Sequence, residues 1–251
     1  MFSDIVDLRD FYQSPRGLAA RLLLRARLAE MWPSMAGERV LVLGYGVPLL
    51  RFLSAQAAAV YAFMPAAMGV AYWPREGPNV SALVEIDNLP LPDNSIDRVI
   101  ALHALEGLAE PTPLLREVWR VMKSGGRFLS IVPNRRGLWA HSDRTPFGSG
   151  QPFSSFQIKD ALHHQGFLIE RVGYALYAPP GVSRLGLSLA NRIEKYAAWM
   201  FPGFGGLLLV EASKQLYAPL VTKAATHRRL ILPLPLPASG PLPAGLAVEK
   251  T

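Results

Sequence analysis

The 251-residue sequence predicts an α/β fold: a seven-stranded, mostly parallel β-sheet with helices on both faces. Three observations carry this. The strand candidates are apolar runs rather than alternating apolar and polar residues, as in strands covered on both sides. They alternate with amphipathic stretches, the order that builds a parallel sheet. A glycine turn, Gly44-Tyr45-Gly46, follows the first run directly and leads into a helix. Half of the residues are hydrophobic and 18% are charged, so the chain can bury a core.

Ser3 or Asp4 caps a short helix through Tyr12, with Ile5, Leu8, Phe11 and Tyr12 on one face. Ser14-Pro15 reads as an N-cap followed by proline at the first helical position. That helix runs to about Trp32, with Leu18, Leu22 and Ala29 as its apolar stripe and Arg16, Arg21, Arg25 and Arg27 turned outward. Residues 1–35 are thus expected to form a helical lid. Pro33 to Glu38 breaks the helix, Val40–Leu43 is the first strand, and a helix starts near Pro48. AAVYAFM is a second strand, and a shorter third in VSALVEI ends at Glu85. Ile96–Leu105 is the fourth. An amphipathic helix over PTPLLREVWRVMKSGG carries Leu114, Leu115, Val118, Val121 and Met122 inward and is expected to end at Gly125-Gly126. RFLSIVP is the fifth strand. A helix from Ser154 or Ser155 to His164, a strand in GFLIERVGYALY, a helix over about Gly186–Met200 and a last strand in GGLLLVEASKQ complete a domain spanning 36–226. In 227–251, Pro233, Pro235, Pro237, Pro241 and Pro243 forbid helix and central strand, which predicts an extended, disordered tail.

Phe52 to Pro74 holds no charge over 23 residues, long enough to cross a membrane. Its eight alanines, interrupted by Ser54, Gln56, Pro65 and Gly69, read instead as a buried helix followed by a buried strand. The acidic start MFSDIVDLRD lacks the basic-then-apolar pattern of a secretory signal, and a cytoplasmic protein is expected. The absence of Cys excludes disulfides, thiolate nucleophiles, Cys-ligated zinc and iron–sulfur clusters. The net charge of +7 is unevenly placed: residues 1–132 carry 13 cations and 13 anions, residues 133–251 carry 13 and 6.

Leu89-Pro90-Leu91-Pro92-Asp93, Ile96-Asp97-Arg98-Val99 and the helix end Arg120-Val121-Met122-Lys123-Ser124-Gly125-Gly126, taken with Gly44-x-Gly46, resemble the class I S-adenosylmethionine-dependent methyltransferases of the type 11 (UbiE-like) family. The resemblance covers about residues 36–135. It implies a Rossmann-like methyltransferase fold with S-adenosylmethionine as cofactor. Gly44, Tyr45 and Gly46 would form the loop under the methionyl part, Glu85 and Ile86 would hold the adenine, and Met64 stands where the family places an acid on the ribose hydroxyls. A thioether cannot replace that acid's charged hydrogen bond, worth about 1.5–3 kcal/mol. Val42 replaces the acidic residue of the first strand, and Pro48 replaces the third loop glycine. A half-preserved cofactor motif leaves two functions open: methyl transfer to a small molecule or protein, or a catalytically inactive relative that binds or regulates a partner.

The 133–153 segment follows the fifth strand, at the edge where such sheets bind ligands. Its Asn134, Arg135, Arg136, Trp139, Arg144 and Phe147 are candidates for the acceptor or partner, since arginine pairs and aromatics suit an anionic or planar group. The Asn-Arg-Arg stretch with Thr-Pro-Phe-Gly is similar to a bacterial subgroup often encoded beside a hydroxyacylglutathione hydrolase, which implies a partner of that kind. His103, at the end of the fourth strand, is the candidate general base, and Glu106 is a second. His163-His164 diverge on a helix and cannot clamp one metal, so no metal is expected. No nucleic-acid-binding motif is present. An anionic small molecule or an acidic protein face is the expected partner of the basic half.

Overall fold

A computed structural model of the chain describes residues 4–180 and 187–216; the proline-rich stretch 227–251 lies outside the described residues. Met1–Tyr217 forms one compact unit, so the two N-terminal helices are part of the main body.

The elements in chain order are α1 (Ile5–Gln13), α2 (Pro15–Met31), β1 (Arg39–Gly44), α3 (Val47–Ser54), β2 (Ala59–Pro65), β3 (Ser81–Val84), β4 (Ile96–Leu102), α4 (Thr112–Val121), β5 (Met122–Pro133), α5 (Ser155–His164), β6 (Phe167–Ala175), α6 (Leu187–Met200) and β7 (Leu207–Lys214). Two short 3₁₀ turns, Leu138–His141 and Pro146–Gly148, lie in the loop after β5. The sheet order is β3-β2-β1-β4-β5-β7-β6. β1 to β5 pair in parallel, and β7 is antiparallel to both neighbours. All seven expected strands form.

Successive strand residues enter opposite layers, as the pleat requires. Val40, Val42, Ile100 and Leu102 pack with α1, α2 and α3, while Leu41, Leu43, Val99 and Ala101 pack with α4 and α5. Residues 52–74 run from α3 through β2 into the loop that follows it, and no described helix is long and apolar enough to cross a membrane.

Two local expectations need correction. The buried face of α2 is Gly17, Ala20, Leu24, Leu28 and Met31, whereas Leu18 and Leu22 are exposed. Packing on the sheet sets this rotation: Arg25 Nε donates to the Pro48 carbonyl at 3.0 Å, which turns one arginine of the expected outer face toward α3. In addition, α4 ends at Val121, not at Gly125-Gly126. Its last carbonyls are taken by the N–H groups of Asn94 (onto Arg120, 3.1 Å) and Ser95 (onto Val121, 2.9 Å). Met122 is already extended and pairs with Ile96; the two glycines fall in the irregular start of β5.

The family-like turn and helix end hold each other. Arg120 donates to the carbonyls of Leu89 and Leu91 and to the carboxylates of Asp93 and Glu117, and Glu117 accepts the Leu89 N–H at 2.8 Å. Asp97 accepts the Arg39 N–H and the Lys123 ammonium, tying β1, β4 and the start of β5.

Candidate active site

The strand order reverses between β1 and β4, and there the carboxyl ends of the strands open a crevice. Gly44 lies at that edge with φ +82°, and a Cβ on it would stand 2.2 Å from the Leu102 carbonyl oxygen. Only glycine lets β1 turn away so close to β4. A Cβ on Gly46 would meet Val42 Cγ1 at 2.2 Å, so the space above this glycine is already taken by the valine.

The crevice is roofed by α1. Its Tyr12 ring stacks on Tyr45 with centroids 5.7 Å apart, and Phe11 meets Phe147 edge-on at 5.9 Å. The Ile5 N–H donates to the Met68 carbonyl at 3.0 Å, fixing the start of α1 over the loop after β2. Tyr45 and Met64 are buried, and Met64 Sδ accepts the Ala71 N–H at 3.2 Å. Glu85 is exposed and Ile86 half-buried just beyond β3.

His103 follows β4 with φ +55°, a left-handed backbone that costs energy in a non-glycine residue and tends to mark functional positions. Its ring stacks on Phe147 at 4.9 Å. Nδ1 lies 3.0 Å from Glu106 Oε1 and Nε2 lies 2.9 Å from the Tyr12 hydroxyl. A carboxylate accepts, so Nδ1 carries the proton and Nε2 accepts from Tyr12. Burial first, and the Glu106 charge second, push the Tyr12 hydroxyl well above its ordinary range, which keeps it a donor. Burial likewise raises Tyr45 to about 12. The second Glu106 oxygen, Oε2, is buried with no hydrogen-bond partner among the described residues. A buried carboxylate oxygen without a donor is costly, and the group needs one from outside.

These groups border a cleft of about 190 Å³ lined by Leu8, Pro65, Met68, His103, Glu106 and Pro146 among others. Pockets that enclose a ligand run from about 300 to 1,000 Å³. The cleft therefore fits part of a nucleoside-sized molecule while α1 is in place. The cleft offers such a ligand one buried acceptor, Glu106 Oε2, while the Glu85 carboxylate is exposed and does not line it.

The 133–153 segment divides in two. Asn134 is buried and its Nδ2 donates to the carbonyls of Gly203 and Gly205 at 2.9 and 2.7 Å. Trp139 is buried and donates Nε1–H to Ala178 at 2.8 Å, and Phe147 is buried against His103. Arg135, Arg136 and Arg144 are exposed. The cleft thus combines α1 with the ends of β2 and β4 and the Pro146–Gly150 loop. Sequence reading missed Tyr12 as a partner of His103; 91 positions separate them, and nothing local signals such a pair. Among the described residues no group of three His, Asp or Glu side chains is placed to hold a metal ion.

Residues 42–130 match the family model described as a methyltransferase domain, of type 11. A Mycolicibacterium smegmatis protein named "Probable S-adenosylmethionine-dependent methyltransferase" is 32% identical over 84 residues, 33% of this chain and 32% of that protein. The match thus spans about a third of that curated relative's length. Among solved structures, a SAM-dependent methyltransferase from Aquifex aeolicus aligns with a TM-score of 0.57 at 19% identity, covering 83% of this chain and 97% of that one. One from Mesorhizobium loti aligns at 0.54 and 20%, covering 75% and 96%. The [4+2]-cyclase SpnF aligns at 0.54 and 22%, covering 77% and 80%. A fold shared with a cyclase is a fold, not an activity. The type 11 motifs, the 42–130 match and the β3-β2-β1-β4-β5-β7-β6 sheet agree: residues 42–130 are similar to the type 11 methyltransferase domain, and the described residues share the fold of the S-adenosylmethionine-dependent methyltransferases.

Proposed function

We propose that the protein transfers a methyl group from S-adenosylmethionine to an acceptor held beside His103 and Glu106. The observation that carries this is the buried, unpartnered Glu106 Oε2 in a cleft at the carboxyl end of β4, within a fold of this family. Gly44, Tyr45 and Gly46 would line the methionyl side, Met64 the ribose side, and Glu85 and Ile86 the adenine side. When bound, this cofactor supplies an electrophilic methyl group on a sulfonium. Such a displacement needs alignment and exclusion of water more than strong acid–base help. His103 Nε2 accepts the acceptor's proton once Tyr12 has released it, and Glu106 Oε1 steadies the resulting imidazolium through Nδ1. With α1 in place that nitrogen is engaged and the cleft is small, so α1 has to lift for loading. The exposed Arg135, Arg136 and Arg144 support an acceptor with an anionic end, or an acidic protein partner such as a hydroxyacylglutathione hydrolase-like enzyme, in the cytoplasm.

A second reading, an inactive relative that regulates a partner, draws on Val42 filling the space over Gly46 and on Met64 at the ribose position. Calorimetry with S-adenosylmethionine and S-adenosylhomocysteine separates the two. Binding that weakens about ten- to a hundredfold in Glu85→Gln is expected. No heat from either compound at millimolar concentration, with the chain folded, favours the inactive reading.

A further inference from the structure

We propose that the outer face of α6, with the turn after it, is a docking surface for an anionic lipid bilayer. Arg192, Lys195, Tyr196 and Trp199 follow one another at i, i+3, i+4 and i+7, so they share one stripe of the helix. That stripe faces outward: Trp199 is 78% and Tyr196 61% exposed, and Phe201 and Phe204 of the turn are each 54% exposed. The most apolar rings of this region stand in water, the reverse of an ordinary surface helix. Phe156, 74% exposed at the start of α5, extends the patch across a hollow it shares with Arg136, Pro202 and Gly203. The Asn134 bonds to Gly203 and Gly205 pin the Arg135-Arg136 loop beside that turn.

The charge around the rings selects the occupant. The side chains interleaved with them are cations, Arg136, Arg192 and Lys195. The acid of this stretch, Glu194, turns inward and accepts the N–H groups of Tyr177 and Ala178 at 2.8 and 3.1 Å. The surplus charge of the chain also lies wholly in residues 133–251. Aromatic rings among cations suit the headgroup layer of a bilayer, where rings settle at the interface and cations meet anionic lipids. Nothing in this depends on the methyltransferase reading.

The test is flotation of the full chain with vesicles of phosphatidylglycerol and phosphatidylcholine in equal parts, beside phosphatidylcholine alone. Binding to the anionic vesicles only, weakened by salt, is expected, with a blue shift of the emission from Trp199. Trp199→Ala with Phe201→Ala, and separately Arg192→Glu with Lys195→Glu, are each expected to weaken binding about tenfold or more. The charge-reversal pair leaves the aromatic surface intact, so it decides the matter should the first variant fold poorly. Failure to bind anionic vesicles at low salt overturns the proposal. So does binding indifferent to both variants, or binding lost only with Arg228→Gln and Arg229→Gln. Self-association abolished by the aromatic variant, without vesicle binding, would instead mark an interface between copies.

Discussion

At His103 three side chains converge, one local and two distant in the chain: Glu106 on one ring nitrogen, Tyr12 on the other and Phe147 against the ring face. Position after the fourth strand made His103 legible as a candidate in the sequence. Its engagement did not show, because a hydrogen bond across 91 residues leaves no periodic trace. Tyr12→Phe keeps the ring stack and removes one buried donor from Nε2. The expected cost is about 0.5–1.5 kcal/mol, read from thermal melts. Faster amide exchange over residues 5–13 should accompany it, since one fewer tie holds α1. Unchanged exchange there would mean that the aromatic contacts alone hold the helix. Asn134 and Trp139 teach a related lesson: residue types that suit ligand contact also suit bracing a long loop, and only burial distinguishes the uses.

At the level of elements, apolar runs reveal strands well because strands buried on both faces leave little polar interruption. The rotation of α2 was not legible, since leucines lie on more than one of its faces and the sheet chooses among them. The end of α4 was misread for a similar reason: Gly125-Gly126 is a stop signal in isolation, but Asn94 and Ser95 take the carbonyls one turn earlier. The Leu89–Asp93 turn depends on α4 through one guanidinium. Arg120→Ala removes bonds to Leu89, Leu91, Asp93 and Glu117 together. Its hydrogen bonds to charged groups alone predict a loss of about 1.5–3 kcal/mol by chemical denaturation. Arg120→Lys should recover little, because an ammonium cannot span both carbonyls and both carboxylates.

Over the whole molecule, acid should loosen the fold through a few named carboxylates. Burial pushes Glu211 up, but hydrogen bonds from Arg127, Arg171 and Trp32 outweigh it and hold the group below its ordinary range. Glu117 is lowered chiefly by Arg120, and Asp97 is lowered by Lys123 and Arg39 against the opposing effect of burial. A carboxyl lowered in the folded state lends stability above its unfolded value, and that contribution disappears as pH falls through the folded value. Glu194, raised mainly by burial, works in the opposite sense, one group against three. Melting temperatures are therefore expected to fall as pH drops below about 4.5, with a shallower fall in Glu211→Gln. A flat profile across that window would contradict the assignment.

The insertion of β7 between β5 and β6 has a consequence for synthesis. A ribosome delivers β7 last among the strands, yet β5 lacks one neighbour until it arrives, and β6 has no other partner in the sheet. Glu211 then receives Trp32 from the end of the N-terminal helices, while Lys214 takes the Trp119 and Met122 carbonyls where α4 meets β5. An emerging chain thus carries an open strand edge for most of its translation, a state prone to pairing with the wrong neighbour. Completion of the sheet therefore waits for β7, the last strand in chain order.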